Sequence, residues 1–157
     1  MKKTIAVLVE NHFGVLTHVS GLFSARGFNI DSLTVGETED PTISRMTIVA
    51  DGDEKTLEQV KKQLNRLIDV VKVIDLTDED FVDRELVLVK VKIDNKKRSE
   101  ILHVADTFQA KIDDVKKENV VIEVTGDQNK IKSFIEMMRS FGIVEIVRTG
   151  RIAIGRK

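Results

Sequence analysis

The chain repeats one order of predicted elements, and this repeat limits the folds that its 157 residues can adopt. Hydrophobic periodicity predicts strand, helix, strand, strand, helix and strand from about Thr4 to Asp75, and the same order again from about Glu85 to Arg148. This order is that of the split β-α-β unit of ferredoxin-like folds. The sequence therefore predicts an α+β protein with two ferredoxin-like βαββαβ domains, each with an antiparallel sheet covered by two helices.

The repeat also sets the expected domain boundaries. Residues 1–76 form the first predicted domain, the acidic segment 77–84 is read as a linker, and residues 85–157 form the second domain with a basic tail. The tail from Thr149 to Lys157 has no counterpart in the first repeat and carries several basic residues, which predicts a basic contact arm. Domains of this size bury limited apolar surface and often depend on a partner.

The elements of the first repeat follow from its apolar positions. The predicted elements are a strand at Ile5–Val9, a helix at Val15–Ala25 that stops at Gly27, a hairpin of Ile30–Val35 and Ser44–Ala50, a helix with apolar positions from Leu57 to Ile68, and a strand at Val70–Leu76. In the second repeat they are Leu86–Ile93, Ser99–Phe108, Ile112–Lys116, Val120–Thr125, a helix around Ile131–Met138, and Ile143–Val147.

Composition excludes several classes of function. The chain has 25 basic and 26 acidic residues, so its net charge of −1 gives no reason to expect nucleic acid or an anionic membrane as a partner. It has no cysteine, which removes disulfides, thiolate chemistry and Cys-ligated metal sites. No apolar run reaches the ~20 residues of a membrane span, and the start does not resemble a signal peptide, so we expect a cytoplasmic protein.

No catalytic or metal-binding pattern emerges from the polar residues. His12, His18 and His103 lack metal-ligand spacing with one another, so we predict no metal site and interpret these histidines as solvated or packed. The segment Asp51–Asp53 lacks the later ligands of a calcium loop and is better read as a turn in which Asp53 caps the second helix. No serine has a recognisable hydrolase setting. We therefore expect the chain to bind a ligand and signal that binding, rather than to catalyse a reaction.

The segment from Asn11 to Gly14 is the candidate ligand site, because it joins a predicted central strand to the first turn of a helix. The N–H groups of that turn have no partners within the helix, and the helix dipole favours a carboxylate or phosphate there. Gly14 would let a ligand approach the backbone, and Asn11 would either bind an ammonium group or cap the helix. A small zwitterion fits these groups; a simple turn is the alternative.

A second segment, Arg26–Ile30, turns the chain between the first helix and the next strand. The strand Asp31–Val35 is expected at a sheet edge, with few charges to protect its unpaired backbone. A symmetric dimer that pairs two such edges, or two helices across the axis, would cover it and would bring Asn29 of one chain to the Asn11 loop of the other. Shielding of the edge by the second domain, and a plain helix stop at Arg26–Ile30, are the alternatives.

An RNA-binding module is the rival class, since RNA-recognition domains use the same strand and helix order. Those modules stack bases on exposed aromatic residues of their central strands. This chain has no Tyr or Trp, and its phenylalanines lie mainly in helical or loop positions, which argues against RNA binding. A free-standing enzyme is disfavoured in the same way by the absence of a catalytic pattern.

Three sequence blocks resemble the regulatory small subunits of acetolactate synthase, also called acetohydroxyacid synthase. The blocks are Val9–Leu16, Gly21–Val35 and Asp40–Ile48, and they occur in the order and at the spacing of that family. The first reads Val-Glu-Asn-His-Phe-Gly-Val-Leu, and the second contains Ala-Arg-Gly-Phe-Asn-Ile-Asp-Ser-Leu. The resemblance covers nearly the whole chain and is strong over roughly the first half.

The resemblance implies an N-terminal ACT domain, a homodimer formed through it, and effector sites at the dimer interface that bind valine or a related branched-chain amino acid. His12 and Phe13 occupy the variable positions of the effector loop. The implied effector-binding residues fall in two segments: Asn11, His12, Phe13, Gly14, Val15 and Leu16 in the loop and helix start, and Asn29 and Ile30 from the opposite subunit.

The resemblance further implies a non-catalytic regulatory subunit of branched-chain amino acid biosynthesis. Such a subunit raises the activity of the large catalytic subunit and makes it sensitive to feedback inhibition by valine. Thiamine diphosphate, magnesium and FAD would belong to that large subunit, with no cofactor in this chain. The second domain and the basic tail are the expected contact with the large subunit, and a stand-alone amino-acid-sensing ACT protein that acts on another enzyme is the alternative.

Overall fold

The structure is a computed structural model that describes residues 2–157, and the chain divides into two compact units. The first unit contains the described residues up to Val82 together with Arg151–Lys157, and the second contains Asp83–Gly150. Both units are α+β, as the sequence predicts. No helix within residues 2–157 is long and apolar enough to cross a bilayer.

The first unit is an antiparallel four-stranded sheet with the strand order β2-β3-β1-β4 and two helices. This is the order expected for the fold, and it confirms that β2 is an edge strand. The elements are β1 (Lys2–Glu10), α1 (Val15–Ala25), β2 (Asn29–Glu37), β3 (Ile43–Asp51), α2 (Glu54–Arg66) and β4 (Val70–Asp75).

The core of the first unit lies between one sheet face and the two helices. Alternate residues of β1, such as Ile5 and Val7, are fully buried against Val19 and Phe23 of α1. Since successive strand side chains point to opposite faces, this alternation fixes which face of β1 meets the helices. Each fully buried side chain of this size contributes roughly 1.5–3 kcal/mol of hydrophobic stabilisation.

Capping hydrogen bonds confirm the predicted end of α1 and the predicted cap of α2. Gly27 has a φ of 78°, and the bonds Phe28 N–H to Phe23 O (3.0 Å) and Gly27 N–H to Ser24 O (3.2 Å) close α1 in a Schellman motif. The carboxylate of Asp53 accepts from the Thr56 N–H at 2.8 Å and caps α2, as predicted. These hydrogen bonds fix the end of α1 and the start of α2.

The second unit repeats the arrangement with the strand order β6-β7-β5-β8. Its core joins the buried valines of β5 to residues of both helices, including Ile101 and Phe134. The elements are β5 (Phe81–Lys92, whose first two residues belong to the first unit), α3 (Arg98–Thr107), β6 (Lys111–Val115), β7 (Asn119–Gly126), α4 (Gln128–Arg139) and β8 (Ile143–Arg148).

Two boundary predictions differ from the structure. The segment 77–84 is not a linker throughout, because β5 already begins at Phe81. The tail is not part of the second domain: Ile152–Gly155 forms the short strand β9, which belongs to the first unit. The charged residues around this short strand hid its alternating apolar pattern.

The tail is held on the sheet face that the helices leave uncovered. Ala153 is buried against Ala6 and Leu76. Its carbonyl accepts a hydrogen bond from Arg45 Nη2 at 2.9 Å, and the Arg151 N–H donates to Ser32 Oγ at 2.8 Å. The tail is therefore a structural part of the first unit.

Candidate functional site

The loop from Asn11 to Gly14 leaves the end of β1, a central strand of the first sheet, and leads into α1. The Asn11 N–H donates to Thr42 O at 2.7 Å, and the Asn11 Nδ2 donates to Pro41 O at 3.1 Å and to Glu37 Oε1 at 3.2 Å. These bonds fasten the loop to the β2–β3 connection. Because the side-chain amide nitrogen is engaged, Oδ1 is the Asn11 side-chain atom suited to accept from a ligand such as an ammonium group.

The start of α1 is open. Gly14 is its N-cap residue with a φ of 88°, a left-handed conformation that favours glycine, and no side chain among residues 2–157 caps this helix start. A Cβ built at Gly14 would meet nothing within 4 Å. Of the two alternatives for Asn11, capping of the helix is not observed, since the Asn11 side chain bonds to the hairpin instead. The first-turn N–H groups, at the positive end of the helix dipole, are suited to bind an anion.

Apolar side chains surround this helix start. Val15 is buried in the core, whereas Leu16 is 45% exposed and Phe13 projects fully into solvent. Val35, two residues before Glu37 on β2, is 43% exposed. The open donors are thus flanked along the chain by exposed apolar side chains at Phe13 and Leu16.

His12 lies on the other side of the loop, between two carboxylates. Its Nε2 is 2.9 Å from Asp69 Oδ1 and 3.3 Å from Glu10 Oε2. The hydrogen bond with Glu10, together with the charge of Asp69, raises the pKa of His12 above its ordinary value. His12 therefore faces β4 and is not aimed at the open helix start.

Asn29 and Ile30 begin β2, at the other end of the sheet. Asn29 pairs with Asp51, and its Nδ2 donates to Asp31 Oδ1 at 2.7 Å; Ile30 is half-buried against the core. Glu37, which contacts Asn11, ends the same strand. Nine extended residues place the two ends about 27 Å apart. One chain therefore brings Asn11 to Leu16 together, but it does not bring Asn29 and Ile30 to them.

Sequence reasoning missed the residues that hold the loop. Asp69 stands just before β4, and β4 is the antiparallel neighbour of β1, so the beginning of β4 lies beside the end of β1. Thr42 and Glu37 reach the loop from the hairpin on its other side. The expected strand order contained the signal, because it makes β3 and β4 the two neighbours of β1.

Two family profiles match the chain and together cover most of it. The profile described as the small subunit of acetolactate synthase matches residues 84–157. The profile described as the ACT domain of the acetohydroxyacid synthase (AHAS) small subunit matches residues 5–72.

Full-length relatives agree with these matches. The chain is 54% identical over 156 residues to a probable acetolactate synthase small subunit of Archaeoglobus fulgidus, across 99% of this chain and 98% of that protein. It is 45% identical over 157 residues to the acetolactate synthase small subunit of Haemophilus influenzae, across 99% of this chain and 96% of that protein.

A solved structure has the same architecture. The crystal structure of the acetolactate synthase small subunit of Thermotoga maritima matches with a TM-score of 0.89 at 42% identity, covering 100% of this chain and 98% of that chain. The fold is that of a protein with an ACT domain followed by a second ferredoxin-like unit. The chain belongs to the family of acetolactate synthase small subunits, which confirms the resemblance and the fold class predicted from the sequence.

Proposed function

We propose that the chain is the regulatory subunit of an acetolactate synthase, that it raises the activity of the large catalytic subunit, and that it makes that activity sensitive to valine. The observation that carries the proposal is the open, glycine-fronted start of α1 beside the Asn11 side chain. The full-length family match supports the large subunit as the partner.

The open helix start suits the two charged groups of an α-amino acid. The carboxylate would accept hydrogen bonds from the N–H groups after Gly14, where the helix dipole also favours negative charge. The ammonium group would donate to Asn11 Oδ1, the side-chain atom that the hairpin contacts leave available. A charge-assisted hydrogen bond of this kind is worth about 1.5–3 kcal/mol.

The aliphatic side chain would lie against the exposed apolar surface. Leu16 on α1 and Val35, near the end of β2 that contacts Asn11, are each close to half exposed. Covering such side chains stabilises a complex by roughly 25 cal/mol for each Å² removed from water. This surface favours valine over alanine; leucine and isoleucine are the nearest competitors.

Completion of the site would require a second chain. A two-fold axis through the middle of β2, at Leu33, would pair two β2 edges antiparallel and place Asn29 of one chain opposite Glu37 of the other. Because Glu37 contacts Asn11, this pairing would carry Asn29 and Ile30 to the effector loop of the partner chain. It would also satisfy the backbone groups of an edge strand that carries few charges.

A ligand shared by two chains would couple effector binding to the arrangement of the dimer. It shifts that arrangement only to the extent that it binds one state better than the other. A coupling free energy of about 1–3 kcal/mol gives roughly 5–150-fold regulation. Thiamine diphosphate, magnesium and FAD would act in the large subunit, and the second unit of this chain would contact that subunit.

Isothermal titration calorimetry tests effector binding directly, since a chain without Trp or Tyr offers little intrinsic fluorescence. Valine, leucine, isoleucine and alanine would be titrated in turn into the purified chain, at two temperatures. We expect saturable valine binding close to one ligand per chain, and weaker binding of alanine. Absence of heat with the chain alone and also with the large subunit present would overturn the effector site.

A further inference from the structure

Three side chains with metal-ligating atoms converge beside the effector loop. Glu10 ends β1, His12 is in the loop, and Asp69 stands just before β4. One oxygen from each carboxylate and one imidazole nitrogen all lie within 4.8 Å of one another. The His12 Nε2 is 2.9 Å from Asp69 Oδ1 and 3.3 Å from Glu10 Oε2.

The backbone holds these residues in place independently of their side chains. The Glu10 N–H donates to Asp69 O at 2.8 Å, and the His12 N–H donates to Glu10 O at 3.1 Å. The two segments that supply the ligands are therefore joined at the position where the ligands meet. This reduces the conformational entropy that an ion would have to remove on binding.

The three ligand atoms lie close enough together to share one ion. Atoms bound about 2.0–2.2 Å from one tetrahedral zinc ion lie roughly 3.3–3.6 Å apart. The Nε2–Oε2 distance of 3.3 Å matches this range, and the Nε2–Oδ1 distance of 2.9 Å would have to lengthen by about 0.4 Å on binding. The side chains of His12 and Glu10 are each 51% exposed, so the ion has an entry path and room for water ligands.

We propose that Glu10, His12 and Asp69 bind one divalent transition-metal ion of the zinc class, each through one atom, with water completing the coordination. An imidazole with two carboxylates suits Zn²⁺ and its neighbours in the first transition row, whereas Mg²⁺ and Ca²⁺ prefer oxygen ligands alone. Because Glu10 and His12 flank Asn11, the ion would also hold the backbone of the effector loop. Binding of the ion does not depend on the proposed effector function.

The sequence alone does not indicate this site, because the histidines lack metal-ligand spacing with one another and one of the carboxylates lies far away in the chain. His18 and His103 take no part in it, and the partners of His12 are carboxylates from its own strand end and from a residue 57 positions later. Only the pairing of β1 with β4 brings Asp69 close.

The test is a calorimetric titration of Zn²⁺ into the untagged chain, in a buffer that contains no free amino acid. His12→Gln and Asp69→Asn remove one ligand each, and His103→Gln removes an exposed histidine of the second unit as the matched control. We expect one ion per chain, with affinity lowered about tenfold or more by either ligand variant and unchanged in the control. Thermal unfolding of each variant without metal verifies that it is folded.

Binding of Co²⁺ provides a second readout, since its visible absorption reports direct coordination. The spectrum should appear with the wild-type chain and with His103→Gln, and should be lost in His12→Gln. Absence of Zn²⁺ binding by the wild-type chain, or equal affinity of wild type and His12→Gln, would overturn the proposal. The valine titrations stand apart from this result, so failure of one proposal is distinguishable from failure of the other.

Discussion

The two units differ most at the loop that leads from their first strand into their first helix. In the first unit, Gly14 precedes α1 and no side chain caps it. In the second unit, Asp94 Oδ1 accepts hydrogen bonds from the N–H groups of Lys96 and Lys97, at 2.9 and 2.8 Å, ahead of α3. Neither α1 nor α3 has a side-chain cap at its N-cap residue. The two loops therefore differ in the residue that precedes the helix, glycine in the first unit and lysine in the second, and in the carboxylate that the second loop places ahead of α3.

The edge strands of the two units also differ, in length and in charge. The edge strand β6 has five residues, three of them charged (Lys111, Asp113 and Asp114). The edge strand β2 has nine residues, of which only Asp31 and Glu37 are charged. Short, charged edges resist pairing with another chain, and long edges with few charges favour it. Both differences favour the first unit for the proposed ligand and dimer surfaces.

The largest expected effect comes from giving the first loop a carboxylate of its own. Gly14→Asp would place a negative charge at the open start of α1, and Asp tolerates the left-handed conformation better than most residues. Repulsion of the effector carboxylate should raise the Kd for valine about 100-fold. Calorimetry measures this change.

The matched control is Gly142→Asp in the second unit. Gly142 also has a positive φ, of 96°, so the control introduces the same charge and a similar backbone strain away from the loop. It should leave valine binding unchanged. Equal loss of binding in both variants would show that strain, and not the local charge, causes the effect.

The next largest effect is expected on dimer formation, when a charge is added to an edge strand. Val35→Lys would give β2 the kind of charge that protects β6, and should raise the dimer dissociation constant about tenfold. Val115→Lys on β6 is the control, because Val115 is exposed to a similar extent and already lies on a charged edge. Sedimentation equilibrium measures the dimer in each case. A dimer weakened only by Val115→Lys would move the interface to the second unit.

A smaller effect is expected at the far end of β2. Asn29→His adds bulk where the partner chain would complete the effector site, and should weaken valine binding about fivefold, the value of one hydrogen bond. Asn95→His, in the exposed turn before α3, is the control. Valine binding that is insensitive to Asn29→His would confine the site to the loop of one chain.

Removal of the carboxylate from the second loop tests the other half of the comparison. Asp94→Ala would leave the donors before α3 unsatisfied and should lower the Tm by about 4 °C. It should not create valine binding, because the second loop has no glycine at its helix start. Valine binding by the second loop of this variant, detected by calorimetry, would mean that a single side chain accounts for the difference between the units.

The smallest effect is a pH dependence at α2. The bond from the Thr56 N–H lowers the pKa of Asp53 below its ordinary value, because it stabilises the ionised carboxylate in the folded state. Its contribution to stability is therefore present above the unfolded pKa and is lost as the pH falls through the lower folded value. The Tm of wild type should exceed that of Asp53→Asn by about 2 °C at pH 6, and the difference should shrink toward pH 3.

The exposed turn residue Asp78 provides the control for this measurement. Asp78→Asn should not change the pH profile. A difference between wild type and Asp53→Asn that grew as the pH fell would reverse the assigned sign.

The sequence predicted the local elements well and the long-range contacts poorly. The helix α1 has the predicted bounds, because Gly14 and Gly27 delimit its apolar pattern. The strand β9 was missed, because burial of Ala153 depends on residues far away in the chain. Periodicity reports the face that a segment buries, but not the partner against which it is buried.

The candidate site also contains local features that the sequence predicts and long-range contacts that it does not. Residues Asn11–Leu16 are contiguous, so the sequence alone could place them together at a helix start. The contacts of Asn11 with Pro41 and of His12 with Asp69 come from the two neighbours of β1, and they require the fold. The proposed role of Asn29 requires a second chain, and it rests on the family resemblance and on the exposed edge of β2.

The most direct test of the account is the activity of the large catalytic subunit, measured alone and with this chain, with and without valine. The wild-type chain should raise the activity, and valine should lower it. Gly14→Asp should also raise the activity, which would then resist valine, whereas Gly142→Asp should behave as wild type. Valine inhibition of the Gly14→Asp complex at wild-type concentrations would contradict the assignment of effector binding to the open start of α1.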